Sequence, residues 1–159
     1  MMHIAYIKDH PETLPVVARW IFDEWGDLCP GSTLETFVEH LQENCHDDQV
    51  PLTLIALLDG EVVGTASLIE YDMDTRHDLT PWLASVYVTP EQRGKGIGTK
   101  LVQAIVAKAA VLRIPKLYLF TPDQEHFYRR LGWQPQEYTD YRGQDVVIMQ
   151  TEPGISETS

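Results

Sequence analysis

The residues whose types and spacing most clearly imply chemistry are Arg93-Gly94-Lys95-Gly96-Ile97-Gly98-Thr99, just after the apolar run Trp82–Val88 and Pro90. Glycines lack the Cβ atoms that would hold an anion away from backbone N–H groups. At a helix start those N–H groups are unpaired and lie at the positive end of the helix dipole. A diphosphate is the natural occupant of such a turn. Arg93 and Lys95 add positive charge in a chain whose formal net charge is −12. Two familiar diphosphate ligands fit poorly. An NTP-binding loop needs G-x-x-x-x-G-K-[ST], but Gly98 is followed by Thr99 and Lys100, with no Lys-Ser or Lys-Thr pair. A dinucleotide fingerprint, G-x-G-x-x-G, fails at Thr99 when started from Gly94 and at Leu101 when started from Gly96.

The turn needs a strand before it and a helix after it, and the sequence supplies both. Leu101, Val102, Ile105, Val106, Ala109 and Leu112 mark one buried face of a helix over residues 98–112. Upstream, residues 3–8 alternate as a half-buried strand does. Leu14, Val17, Ala18, Ile21, Phe22 and Trp25 then follow Pro11 and Glu12 at helical spacing, up to Gly26. Ser32 or Thr33 can cap a second helix carrying Leu34, Phe37, Val38 and Leu41. Residues 52–58 and 61–71 flank Asp59-Gly60, a strong hairpin signal, and the acidic stretch 72–81 reads as a loop. A strand at 116–120 and a short helix at 125–131 ended by Gly132 come next. Strands at 133–138 and 145–151, around the turn Arg142-Gly143, close the chain. The order β-α-α-β-β-β-α-β-α-β-β predicts an α/β protein of the α+β mixed-sheet kind, with a parallel crossover through the helix after Gly98. Residues 1–151 form one domain in this reading, and 152–159 a flexible tail.

Composition narrows the function classes. At 159 residues with 43% apolar content, the chain can fill the core of one domain. Its acidic balance argues against nucleic-acid binding, which needs a positive field to displace counterions. No run approaches the roughly 20 apolar residues of a membrane span, and the start Met1-Met2-His3-Ile4 lacks the layout of a secretory signal, so a cytoplasmic location is expected. Cys29 and Cys45 lack metal-binding or disulfide spacing and are expected to be two buried thiols.

Arg93, Gly96 and Gly98 fit the pattern R-x-x-G-x-G, and here the chain resembles the GNAT superfamily of N-acetyltransferases. The strand before the turn and the segment Phe127-Tyr128-Arg129-Arg130-Leu131-Gly132-Trp133 carry the likeness further, and the element order agrees over residues 3–150. The resemblance implies a GNAT-like acyl-CoA N-acyltransferase fold using acetyl-CoA and no metal. It assigns the pantetheine arm to the backbone of Val86, Tyr87 and Val88. It assigns the diphosphate to the turn built from Arg93, Gly94, Lys95, Gly96, Ile97, Gly98 and Thr99.

Acyl transfer to an amine requires that the amine lose its proton, that an oxyanion find a donor, and that the thiolate be stabilised as it leaves. The resemblance places Tyr128 at the departing sulfur, and a backbone N–H of the strand before the turn at the oxyanion. Some relatives carry a glutamate near the start of that strand, where this chain has Trp82 and Leu83; Glu70, His77, Asp78 and His126 are candidate bases by presumed proximity, beside a water relay. Many relatives also carry a cofactor-contacting asparagine where this chain has Thr121-Pro122-Asp123-Gln124, and Asp123 or Gln124 could stand in for it. The regions that set specificity in the family hold Asp23, Glu24, Asp27, Asp72, Asp74 and Asp78 with Trp25, Tyr71, Tyr138 and Tyr141, which suits a cationic small-molecule or peptide amine. The competing readings are a non-catalytic acyl-CoA-binding or sensing module of the same fold and a nucleotide-binding switch. A homodimer is left open.

Overall fold

The strand-forming stretches pair into one seven-stranded mixed sheet in a computed structural model that describes residues 1–154. In chain order the elements are β1 (Met2–Tyr6), α1 (Leu14–Trp25), α2 (Leu34–Gln42), β2 (Leu52–Leu58), β3 (Glu61–Ile69), β4 (Trp82–Val88), α3 (Ile97–Val111), β5 (Leu117–Thr121), α4 (Glu125–Arg130), β6 (Gln134–Tyr141) and β7 (Gln144–Thr151). This is the expected order. The strands lie side by side as β1-β2-β3-β4-β5-β7-β6, antiparallel except for β4 and β5.

Local chemistry explains most boundaries. Asp59 and Gly60, and again Arg142 and Gly143, take positive φ at both turn positions, as two-residue hairpin turns require. Thr33 and Thr36 cap the start of α2 reciprocally, at 3.2 and 3.3 Å. Three details differ from expectation. β1 stops at Tyr6, and two short 3-10 turns, Ile7–Asp9 and Pro11–Thr13, delay α1 until Leu14. β6 extends to Tyr141, because it pairs with β7 right up to the turn. Cys29 and Cys45 are half-buried thiols at helix ends, not fully buried ones. Of the expected tail, Pro153 is buried and residues 155–159 lie outside the described residues.

The two faces of the sheet bury separate cores. Helices α3 and α4 cover one face, where Leu52, Leu54, Ala66, Leu68, Leu83, Leu101, Ile105, Leu117, Leu119 and Met149 pack together. Helices α1 and α2 cover part of the other, over Ile7, Ile55 and Leu57. The rest of that second face is closed by the β3–β4 loop, which inserts Met73 and Leu79 beside Trp82, Tyr141 and Ile148. Burying this apolar surface is the main favourable term holding sheet and helices together.

Candidate active site

Strands β4 and β5 run parallel but share a single register pair, Trp82 with Tyr118. Beyond Trp82, β4 stays paired with β3 through Thr65 with Tyr87 and Gly64 with Val88, while its β5-facing edge is unpaired. Ser85 adopts φ 56°, and a register shift falls between Thr65 and Ser67. Such a bulge bends the strand and re-aims its backbone. It also changes the side-chain alternation: Leu83, Val86 and Val88 face α3, whereas Trp82 and Tyr87 face the other side, Tyr87 against Trp20 of α1. The result is a wedge along the β5-facing edge of Val86, Tyr87 and Val88, where the backbone groups turned away from β3 have no strand partner.

The glycine turn closes the wide end of that wedge. Gly94 and Gly96 sit at φ 78° and 85°, where a side chain would be strained, and nothing occupies the space a Cβ would enter at either. Gly96 is the N-cap of α3 and makes no side-chain cap bond, and the first intrahelical bond runs from Lys100 N to the Gly96 carbonyl at 3.1 Å. The N–H groups of Ile97, Gly98 and Thr99 therefore have no helical partner. A Cβ on Gly98 would lie 3.7 Å from Val88 and 4.0 Å from Phe127, so that residue spans the gap between β4 and α4. The two basic side chains behave differently. Arg93 turns back onto the strand, its Nε donating to the Val88 carbonyl at 2.8 Å and its guanidinium lying over Tyr87. Lys95 is exposed, reaching Gln92 at 3.3 Å.

The opposite wall is β5 and α4. Tyr128 is 8% exposed, wedged edge-on between Phe127 and Trp133. No protein group among the described residues hydrogen-bonds its hydroxyl, which is not sealed from solvent, and burial of the ring pushes its pKa well up, so it holds its proton at any ordinary pH. Glu70, His77, Asp78 and His126 are all exposed; Asp78 is held by Arg76 at 3.0 and 3.1 Å, and His77 stacks on Tyr71. Asp123 and Gln124 are exposed too, their N–H groups turned to the Thr121 hydroxyl.

Free amides at a helix start, an unpaired strand edge and room where side chains would stand form a cradle that fits the diphosphate and amide-bearing arm of coenzyme A. The sequence model of the Acetyltransferase (GNAT) family matches residues 14–133. The chain belongs to that family. GNAT structures from other organisms share its architecture. The phosphinothricin acetyltransferase of Sinorhizobium meliloti, in complex with acetyl-CoA, superposes with a TM-score of 0.67 at 18% identity, covering 100% of this chain and 91% of that one. An aminoglycoside 6'-N-acetyltransferase complexed with coenzyme A gives a TM-score of 0.72 at 16% identity, over 95% of this chain and 97% of that one. Among curated proteins, the spermine/spermidine N(1)-acetyltransferase of Bacillus subtilis (strain 168) is 28% identical over 98 residues, which cover 57% of this chain and 64% of the relative. The chain thus spans a little under two thirds of that GNAT relative's length.

Two groups near Trp82 were named in the sequence only as a turn residue, Arg142, and as one of six acids in the specificity regions, Asp72. Arg142 donates to the Leu28 carbonyl and, at 2.8 Å, to Asp74, so it ties the α1–α2 connection, the β3–β4 loop and the β6–β7 turn together. Asp72 stands beside it with its carboxyl pushed up to about 7, chiefly by burial and against the pull of Arg142. In sequence Asp72 is one acid among several. The only hint is its neighbour Met73, an apolar residue in a polar loop that has reason to turn inward.

Proposed function

We propose that this GNAT protein transfers the acetyl group of acetyl-CoA directly to a primary amine, and that the acceptor is a small cationic amine. The observation that carries the reading is the continuous path from the open amides at the start of α3 to the unpaired edge of β4. A diphosphate on Ile97, Gly98 and Thr99 would send an extended arm back along Val88, Tyr87 and Val86. At about 3.3 Å per residue, the stretch from Val88 to Trp82 spans roughly 20 Å, which brings the thioester toward the closed end of the wedge.

There the chain's own groups do the work. Backbone N–H groups of β4 freed by the bulge at Ser85 are suited to donate to the carbonyl oxygen as it gains charge. The Tyr128 hydroxyl, unpaired and firmly protonated, is suited to give a hydrogen to the departing sulfur. That unspent hydroxyl in an otherwise apolar wall favours catalysis over a binding-only module. The cationic acceptor is supported by the charge of −12, by the acidic loops around the wedge, and by the spermine/spermidine acceptor named for the Bacillus relative.

The test is acetyl-CoA with a panel of polyamines, aminoglycosides, basic peptides, and neutral and acidic amines, read by free thiol release and product mass. Polyamines or other cationic amines should gain one acetyl group each. Turnover of neutral or acidic amines alone would refute the cationic acceptor, and coenzyme A binding with no turnover of any amine would leave the binding module.

A further inference from the structure

The strand register fixes which backbone groups of β4 face the gap left by β5. Gly64 of β3 pairs with Val88, and one residue further on Thr89 donates its N–H to the Val63 carbonyl at 2.9 Å. Opposed residues in an antiparallel pair alternate between exchanging hydrogen bonds and turning their backbone groups away from each other. Thr89 and Tyr87 therefore turn theirs toward β3. The Tyr87 carbonyl agrees, lying 3.1 Å from where a Cβ on Gly64 would stand. Val88, between them, turns its N–H and C=O toward the open edge.

One of those two groups is already taken. The Arg93 Nε donates to the Val88 carbonyl at 2.8 Å, and its guanidinium carbon lies 5.3 Å from the centre of the Tyr87 ring. Local structure brings the side chain there. Pro90–Gln92 form a 3-10 turn, with Gln92 N bonded to the Thr89 carbonyl at 2.9 Å and Arg93 N to the Pro90 carbonyl at 3.4 Å. Arg93 thus emerges beside the strand the chain has just left. It covers the carbonyl that an extended arm pairing with β4 would need.

A ligand of the right charge can undo this hold. Arg93 is exposed, and among the described residues it forms no ion pair and no hydrogen bond beyond the one to Val88. That bond goes to a neutral oxygen. Bonds from a guanidinium to a phosphate are charge-assisted on both sides and roughly twice as strong as neutral ones. Arg93 also stands three residues before Gly96, the N-cap of α3. At most about 11 Å of chain separates them, so its charge acts on an anion seated at the α3 amides.

We propose, on the coenzyme A reading above, that Arg93 is a selectivity residue. It covers the Val88 carbonyl until a diphosphate draws its guanidinium away, and so admits the amide-bearing arm only when that arm carries a diphosphate. Coenzyme A exchanges the bond to a neutral carbonyl for bonds to charged oxygens, and the freed carbonyl accepts an amide N–H of the arm. The arm alone has to displace Arg93 and offers its guanidinium no anion in return.

The experiment compares wild type, Arg93→Met and Arg93→Gln, with coenzyme A titrated by calorimetry and reduced pantetheine by saturation-transfer NMR. Methionine matches the arginine stem in length and has no donor. Glutamine places an amide nitrogen where Nε stands, so it can hold the Val88 carbonyl but carries no charge to be drawn off. Arg93→Met should bind pantetheine roughly 3- to 10-fold more tightly than wild type and coenzyme A roughly tenfold more weakly. Arg93→Gln should match the wild-type affinity for pantetheine within about twofold and bind coenzyme A more weakly than Arg93→Met does. An arginine that only binds phosphate would leave pantetheine affinity unchanged in both variants, and one that only supports the turn would lower it in both. Either result overturns the assignment while coenzyme A binding stands. A wild type that binds neither ligand would overturn the coenzyme A reading as well.

Discussion

Gly96→Ala offers the most direct test of the diphosphate cradle, because a matched control exists in the same chain. Gly96 has φ 85° and Gly60, in the β2–β3 turn, has φ 86°; neither has any atom within 4 Å of a built Cβ. In the free protein the two substitutions therefore cost the same kind of energy. Left-handed backbone costs an L-residue about 1–2 kcal/mol, offset by about 0.4–1 kcal/mol because alanine stiffens the unfolded chain. The net loss is about 0.5–1.5 kcal/mol, or roughly 1–6 °C in Tm for a domain of this size. Binding should separate them. At Gly96 the new methyl stands at the mouth of α3, where it would push a phosphate away from N–H donors. Losing one hydrogen bond to a charged group is worth about 1.5–3 kcal/mol, so coenzyme A affinity should drop roughly 10- to 150-fold. Gly60→Ala should bind coenzyme A as wild type does. Calorimetric titration and thermal melts of the three proteins suffice. Equal melting losses with equal affinities would show that the diphosphate does not sit on the α3 amides.

Three further outcomes follow from the site. Tyr128→Phe keeps the ring between Phe127 and Trp133, so Tm should hold within about 2 °C and coenzyme A affinity within twofold, while kcat falls by about 100-fold; steady-state rates with saturating acetyl-CoA decide it. Asp72→Asn should raise Tm at pH 8, with a gain that shrinks as pH is lowered from about 7 toward 4. The sign follows from linkage: between its ordinary 3.8 and about 7, the folded chain holds a proton that the unfolded chain has lost, so the native carboxyl erodes stability as pH rises through that window. A Tm difference that ignores pH in melts across this range would contradict the enclosed carboxyl. Arg142→Ala removes a charge that holds the Asp72 pKa down and a tie between three loops. It should lower Tm, raise the acceptor's KM and leave coenzyme A affinity unchanged in the same assays.

Much of the scaffold was legible because its signals are local. Asp59-Gly60 and Arg142-Gly143 can hardly be anything but tight turns, and the apolar face from Leu101 to Ala109 is buried where helical periodicity places it. The glycine turn was legible for the same reason, since Gly94 and Gly96 shape the entry to α3 through their own backbone. Arg93 shows the limit of such reading. Its charge suggests a phosphate partner, but its guanidinium lies on Tyr87 and its Nε on the Val88 carbonyl, a choice set by where β4 runs. The candidate bases are a second case: Glu70, His77, Asp78 and His126 have the right chemistry, and all four are exposed, so burial singles out none of them.

Sequence by itself determined the order of elements, the glycine turn that opens α3, and the family, because each depends on residues close together in the chain. Tertiary structure alone decided that β4 and β5 part after one residue pair, that Tyr128 is buried between Phe127 and Trp133, and that Asp74 and Asp78 are held by Arg142 and Arg76. Those properties depend on desolvation and on which arginine reaches which acid. Both are set by segments such as Leu28, Asp74 and Arg142, which lie far apart along the chain and meet only when the sheet closes.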